Sequence, residues 1–183
     1  MATMEEYQRQ PVGARLDRMA RTPDDVEAAV QGVSEATLAR RPDPRNWAAK
    51  EVICHLRDIE ELFMLRFHMM LGTDNPTFLV LAELPPHPDR WGIGGRVGMP
   101  LDPDRWAEER QYLRCDVAVA LQSLRRRREE SLALLRALTP AQWKRGSVHV
   151  TLGAMTFEDW VALMAAHDDK HLAQLRRALV GES

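Results

Sequence analysis

Histidine is the residue type in this chain whose spacing could do chemistry. There are six, and His167 and His171 stand four residues apart in a stretch with helical periodicity. Both imidazoles therefore leave one helix face a turn apart, the spacing that lets two neutral imidazoles share one divalent ion. Trp160 and Met164 occupy the same face, which turns it toward a core. His55 lies on the apolar stripe with Val52 and Ile59 in another helical stretch and also faces inward. His55, His167 and His171 together could form the open three-nitrogen face used by zinc and nickel-like sites. The plainer alternative is a group of hydrogen-bonded core histidines. A di-iron carboxylate centre fits less well, because it wants repeated Glu-x-x-His motifs and further inward glutamates, whereas Glu51 lies four residues before His55 and Asp168 three before His171. Cys54 points about 100° away from His55 around the helix and reads as a small packing residue, which disfavours a Cys/His nucleophile. His68, His87 and His149 lie off the constellation and read as surface or loop positions.

Helices must position these side chains. The 183 residues are 45% hydrophobic and only 6% aromatic, strand-like alternation is hard to find, and the periodicity predicts an all-α single domain over 1–183. The first helical region is Val12 to Val33. Within it Thr22-Pro23-Asp24-Asp25 has the form of an N-cap, a proline at N1 and acids in the first turn, which predicts a break or restart. Ser34 to Leu38 adds one turn, and Arg41-Pro42-Asp43-Pro44 is a stiff connection. The second helix spans about Ala48 to Leu71, with Val52, Leu56, Ile59, Phe63, Phe67 and Met70 on one stripe. From Gly72 to about Asp116 the chain is rich in proline and glycine, without a phosphate-binding glycine fingerprint. A third helix starts at or somewhat before Asp116 and runs to about Leu138, its stripe carrying Leu121, Leu124, Leu132, Leu135 and Leu138. A fourth runs from Thr156, where Thr156 and Asp159 resemble a capping box, to about Val180 before Gly181. Four long amphipathic helices predict a four-helix bundle.

Rise per residue gives a geometric check. His55 lies roughly 12 Å from the start of its helix and His171 roughly 13 Å from the end of its own. Their depths match if the second and fourth helices run antiparallel; run parallel, they would differ by roughly 7 Å or more. In an up-down-up-down bundle those helices are parallel. A shared ion therefore requires the segment from Gly72 to Asp116 to act as a long crossover between helices two and three.

Asn46-Trp47 followed by Glu51, His55, Asp58 and Glu60 resembles the W-S-x-x-E-x-x-x-H-x-x-D-x-E opening of the second helix in the DinB/YfiT-like family. Ala166 to Leu175 resembles that family's H-D-x-x-H-x-x-Q fourth helix. Trp143, Gly153 and Thr156 fit its approach, so the resemblance extends from about Pro42 to Leu179; Ala48 departs from the usual serine, which weakens an N-cap. The resemblance implies an unusual four-helix bundle with a crossover, a homodimer, and a divalent metal such as zinc or nickel on His55, His167 and His171. It further implies a metal-dependent transferase that uses a low-molecular-weight thiol of the bacillithiol or mycothiol type on a small electrophile. A metal-dependent hydrolase is next, and a non-catalytic, metal-stabilised, stress-associated homodimer is the reading from another class. Three imidazoles leave coordination positions open, and a bound ion lowers the pKa of water or a thiol.

Four further residues are candidates around that centre. Asp58 and Asp168 could accept the second N–H of ligating imidazoles, or stand as solvated helix acids. Arg128 falls on the apolar stripe of the third helix between Leu124 and Leu132. It either reaches an anionic substrate or thiol in the pocket or lies along the surface with its head in water. Trp160 could line the pocket or serve as packing. The rest of the composition excludes classes. A formal charge of −2 and a pI near 6.3 argue against nucleic acid as a partner, and the run Arg125 to Arg128 before Glu129 and Glu130 reads as a solvated helix face. No stretch is long and apolar enough for a membrane span. No leader is visible in Met1 to Gln10, and two cysteines fit a reducing cytoplasm.

Overall fold

The computed structural model describes residues 2–78, 103–149 and 152–182. Its elements are α1 (Met4–Gln8), α2 (Val12–Val30), α3 (Glu35–Ala39), α4 (Ala49–Gly72), β1 (Thr77–Phe78), α5 (Pro103–Glu109), a 3-10 turn (Tyr112–Arg114), α6 (Val117–Arg136), α7 (Pro140–Trp143), β2 (Gly146–His149), β3 (Gly153–Thr156) and α8 (Phe157–Val180). The long helices α2, α4, α6 and α8 form the bundle. Each of α2 and α4 packs against both α6 and α8, so α2 sits diagonally from α4 and α6 diagonally from α8. No helix among the described residues is long and apolar enough to cross a membrane.

Two apolar clusters fill the ends of the bundle and fix its directions. One joins Leu16, Met19, Phe63, Phe67, Leu132, Leu135, Phe157 and Trp160; the other joins Val26, Val30, Val52, Leu56, Ala120, Leu124, Leu172 and Leu175. Read along each helix, α4 and α6 run from the second cluster to the first, and α2 and α8 run the opposite way. The second and fourth bundle helices are thus antiparallel, as a shared histidine site requires. Ring pairs confirm the register: His55 with His171 at 4.5 Å, Phe63 with Trp160 at 5.7 Å and Phe67 with Phe157 at 5.4 Å between centroids.

Because α4 and α6 are parallel, the chain must return along the bundle between them. Phe78 of β1 packs in the first cluster, whereas Ala107 of α5 and Tyr112 pack in the second, beside the start of α4. The crossover is therefore bounded on both sides. The prolines at 85, 86, 88 and 100, the glycines at 92, 94, 95 and 98, and His87 lie outside the described residues. A small sheet joins the helices: β2 pairs with β1 in parallel and with β3 antiparallel. Strands of two to four residues are too short for alternation to register in sequence.

Helix ends follow local chemistry. Thr156 accepts from Asp159 N at 3.3 Å and Asp159 accepts from Thr156 N at 2.8 Å, the expected reciprocal cap of α8. Gly181 closes that helix at φ 81°, a left-handed conformation that glycine adopts without steric cost. Ala48 has no acceptor with which to cap α4. Glu51 still takes the Ala48 N–H at 2.9 Å, and Arg41 holds the same carboxylate at 2.7 Å.

The expected break at Pro23 does not occur, and α2 runs through it. Proline has no N–H to give the carbonyl four residues back, here that of Met19. That carbonyl instead accepts from Arg128 Nη1 at 2.7 Å. Thr22 does not cap a new helix either, because its hydroxyl donates to Asp168 at 2.6 Å. Arg128 is buried and also binds Glu60 at 2.8 Å and Asp168 at 2.6 Å. Neither sequence reading of Arg128 holds: it points neither into a pocket nor to water, since partners from α2, α4 and α8 occupy it. Nor is the arginine run simply solvated. Arg127 pairs with Asp58 and Glu61, and Arg125 with Asp24 and Glu27.

Removing one member of a buried ion cluster costs about 3–5 kcal/mol. Arg128→Met is therefore expected to lower unfolding stability by about that amount in urea titrations, and adding Asp168→Asn should recover part of the loss. A wild-type midpoint for Arg128→Met would mean that this cluster does not hold the helices together.

Candidate metal centre

The three predicted histidines meet. His55 from α4 and His167 and His171 from α8 each bring one ring nitrogen within 4.8 Å of the others. The Nε2 atoms of His55 and His167 are 3.2 Å apart, about the edge of a tetrahedron built on metal–nitrogen bonds of about 2.0 to 2.1 Å. His171 donates from Nδ1 to Oε1 of Gln174 at 2.8 Å, which leaves its Nε2 lone pair for an ion. His55 Nδ1 is buried without a hydrogen-bond partner. Three nitrogen donors on two rigid helices fit a divalent transition ion.

Electrostatics keep these rings neutral, as ligands must be. Burial, reinforced by the charge His171 would carry, pushes His55 down to about 3. Burial likewise brings His171 to about 4, although its bond to Gln174 opposes the shift. His167 lies well below the ordinary histidine value through burial and the two neighbouring imidazoles.

The acids expected to hold the imidazoles do other work. Asp58 accepts from Arg57, Arg110 and Tyr112 at 2.7, 2.6 and 2.9 Å. Burial raises the pKa of Asp58, but those bonds outweigh it and bring the group to about 2. Asp168 is taken by Thr22 and Arg128. Trp160 is fully buried, donates to Ser147 Oγ at 2.8 Å and packs against Phe63 and Phe78, so it supports the wall from behind. Cys54 points its sulfur toward the Tyr112 carbonyl at 3.9 Å, away from the histidines.

A cavity of ≈ 640 Å³ opens beside the triad. Its wall includes four residues to which the sequence reading gave no role: Trp47, Arg66, His149 and Gln174. Trp47 stacks on His171 at 6.4 Å and tilts against His55 at 4.9 Å between centroids. His149, expected on the surface, is buried, and its Nδ1 accepts from Leu152 N at 3.1 Å. Signals for two of these were present in the sequence. Gln174 closes the His-x-x-Gln pattern, and Arg66 follows His55 by eleven residues, three turns on and about 20° off the same line.

Comparison with known proteins agrees with this fold. A profile of the DinB superfamily matches residues 18–175. A relative from Halalkalibacterium halodurans, provisionally named a metal-dependent hydrolase, is 23% identical over 175 residues, covering 96% of this chain and 90% of its own. YfiT from Bacillus subtilis, under the same provisional name, is 25% identical over 154 residues, covering 84% and 75%. The solved YfiT structure, described as a probable metal-dependent hydrolase with an unusual four-helix bundle topology, superposes with a TM-score of 0.75 at 23% identity. That superposition covers 94% of this chain and 89% of the other.

Two outcomes are expected. Purified protein should bind one divalent ion per chain by elemental analysis. His55→Ala or His171→Ala should abolish that binding, whereas Gln174→Leu should weaken it about 10–100-fold. Undiminished binding in the histidine variants would place the ion elsewhere. Asp58 titrates lower in the folded chain than its unfolded value of about 3.9. Its stabilisation is complete above that value and is lost as pH falls through about 2. Asp58→Asn should therefore be less stable at pH 7 and flatten the acid limb of a pH–melting curve; an unchanged limb would contradict the pairing.

Proposed function

The chain belongs to the DinB superfamily, and from that premise we propose that it is a metal-dependent enzyme that joins a low-molecular-weight thiol to a small electrophile. The observation that carries this reading is a three-imidazole centre open to a cavity of ≈ 640 Å³ that offers no uncommitted, enclosed carboxylate among the described residues. An ion on His55, His167 and His171 would supply Lewis acidity that lowers the pKa of a thiol or of water. Free thiols ionise near 8.5 and water near 15.7, so a thiol needs far less help to become a nucleophile. Attack by water draws more heavily on a positioned proton acceptor.

Among the described residues, side chains around the centre are poor proton acceptors. Asp58 and Asp168 are closed in ion pairs. Asp104 lines the cavity but is exposed at its edge and accepts from Trp47 Nε1 at 2.7 Å. His149 accepts from Leu152 through Nδ1, so its Nε2 carries a proton and serves as a donor. Trp47 shields the histidine rings from solvent on one side, and Gln174 holds His171 in the tautomer that leaves Nε2 open.

Hydrolysis by the same centre is the second reading, favoured by the provisional names of two relatives. A purely structural ion would be expected in a closed shell, and the adjoining cavity speaks against that role.

The test is turnover of an electrophilic aryl halide with cysteine, glutathione, bacillithiol and mycothiol, alongside a nitrophenyl ester without thiol, using zinc-loaded and metal-free protein. Metal-dependent consumption of one thiol is the expected result. Metal-dependent ester cleavage alone would establish the hydrolase reading, and no metal-dependent turnover would leave the ion a structural part.

A further inference from the structure

Arg66 is a cation in a place where cations are expensive. It is 6% exposed and lines the same cavity as the histidines. Its Cζ lies 4.9 Å from the centroid of Trp160, 5.6 Å from that of Phe63 and 5.8 Å from that of Phe78. Aromatic faces attract a guanidinium, but they leave its five N–H donors unused. Among the described residues no carboxylate pairs with Arg66 and no acceptor takes a hydrogen bond from it. Burial brings its pKa down to about 10, so it is still charged at neutral pH. Every other buried arginine among the described residues is answered: Arg15 by backbone carbonyls of Gln8, Gln10 and Glu158, Arg18 by Asp169 and Arg128 by Glu60 and Asp168.

The unanswered charge faces the reaction centre. Arg66 and His55 share one face of α4, and a helical side chain leans toward the N-terminus, here over Phe63 and toward the triad. Phe63 lies 6.4 Å from His167 between centroids, so the guanidinium carbon and that imidazole are at most about 12 Å apart. A small molecule can span that distance. Arg45, Lys170 and Arg177 also line the cavity, solvent-exposed cations that bias its field toward anions.

We infer that Arg66 is the anion-binding group of this cavity: it receives an oxyanion, a carboxylate or a phosphate, of the substrate or thiol cosubstrate, while the reacting atom of that molecule lies at His55, His167 and His171. The planar fork matches either oxyanion with two parallel hydrogen bonds. Ile59, Leu62 and Leu163 supply an apolar wall for the carbon skeleton between. The enzyme thus selects small anionic molecules over neutral analogues of the same shape. This inference rests on the cavity being the substrate site of the proposed enzyme.

Calorimetric titration with 4-phenylbutanoate, 3-phenylpropyl phosphate and neutral 4-phenylbutanamide tests it, in zinc-loaded and in metal-free protein. At least one anion should bind about tenfold or more tightly than the amide in both forms. Arg66→Met should abolish that preference and leave zinc stoichiometry unchanged, whereas Arg66→Lys should keep part of it. Equal binding of the three probes overturns the inference, as does a preference that survives Arg66→Met. A preference that vanishes when zinc is removed also overturns it, because the anion then sits on the ion. Should Arg66→Met fail to fold, the wild-type comparison and Arg66→Lys still decide. Failure of zinc to bind at all would sink the metal-dependent reading instead, and the metal-free titration keeps the two failures apart.

Discussion

One guanidinium ties the four bundle helices together. Arg128 of α6 reaches Met19 of α2, Glu60 of α4 and Asp168 of α8, and Thr22 of α2 closes on the same Asp168. Burial opposes the charge of Arg128, but the two carboxylates more than offset it and raise its pKa above the usual arginine value. The cluster sits between the two apolar ends of the bundle, because Leu124 and Leu132 flank Arg128 and belong to different clusters. Apolar packing is non-directional and tolerates a slide of one turn. Three hydrogen-bonded partners around one planar fork do not.

The metal centre inherits that register. Asp168 is adjacent to His167 and three residues before His171, and Glu60 is five residues after His55, so fixing the two acids fixes where the imidazoles meet. With α2 diagonal to α4 and α6 diagonal to α8, α4 and α8 lie side by side and antiparallel, which brings a residue near the start of one to the depth of residues in the middle of the other. Division of charge follows as well. Asp58 and Asp168 hold arginines, the histidines stay neutral through burial, and Arg45, Arg66, Lys170 and Arg177 line the cavity. A site arranged in this way favours nucleophiles that ionise easily and ligands that carry negative charge.

Much of this was legible in sequence because it is periodic. His167 and His171 at one-turn spacing, His55 on an apolar stripe and the depth argument together required antiparallel helices and a crossover, and the structure has both. What was not legible depends on three-dimensional pairing. Pro23 looked like a helix start because the acceptor left by its missing N–H, the Met19 carbonyl, could not be matched to an arginine 109 residues further along the chain. Arg128 stood out as a cation on an apolar stripe, but its partners lie on three other helices. Asp58 and Asp168 carried the right chemistry for supporting histidines and were claimed first by arginines, while Gln174, one turn beyond His171, took that part. Strands of two to four residues leave no periodic trace at all.

The central claim is a single ion held by three imidazoles with a coordination position open to the cavity. Cobalt(II) titration followed by visible absorption tests it most directly, because both the intensity and the position of its d–d bands report ligand number and type. The account predicts saturation at one cobalt per chain, bands of a four- or five-coordinate nitrogen-rich site, and a new thiolate-to-cobalt charge-transfer band when a small thiol is added. Saturation without any response to thiols would contradict the open position, and no saturable spectrum at all would contradict the centre itself.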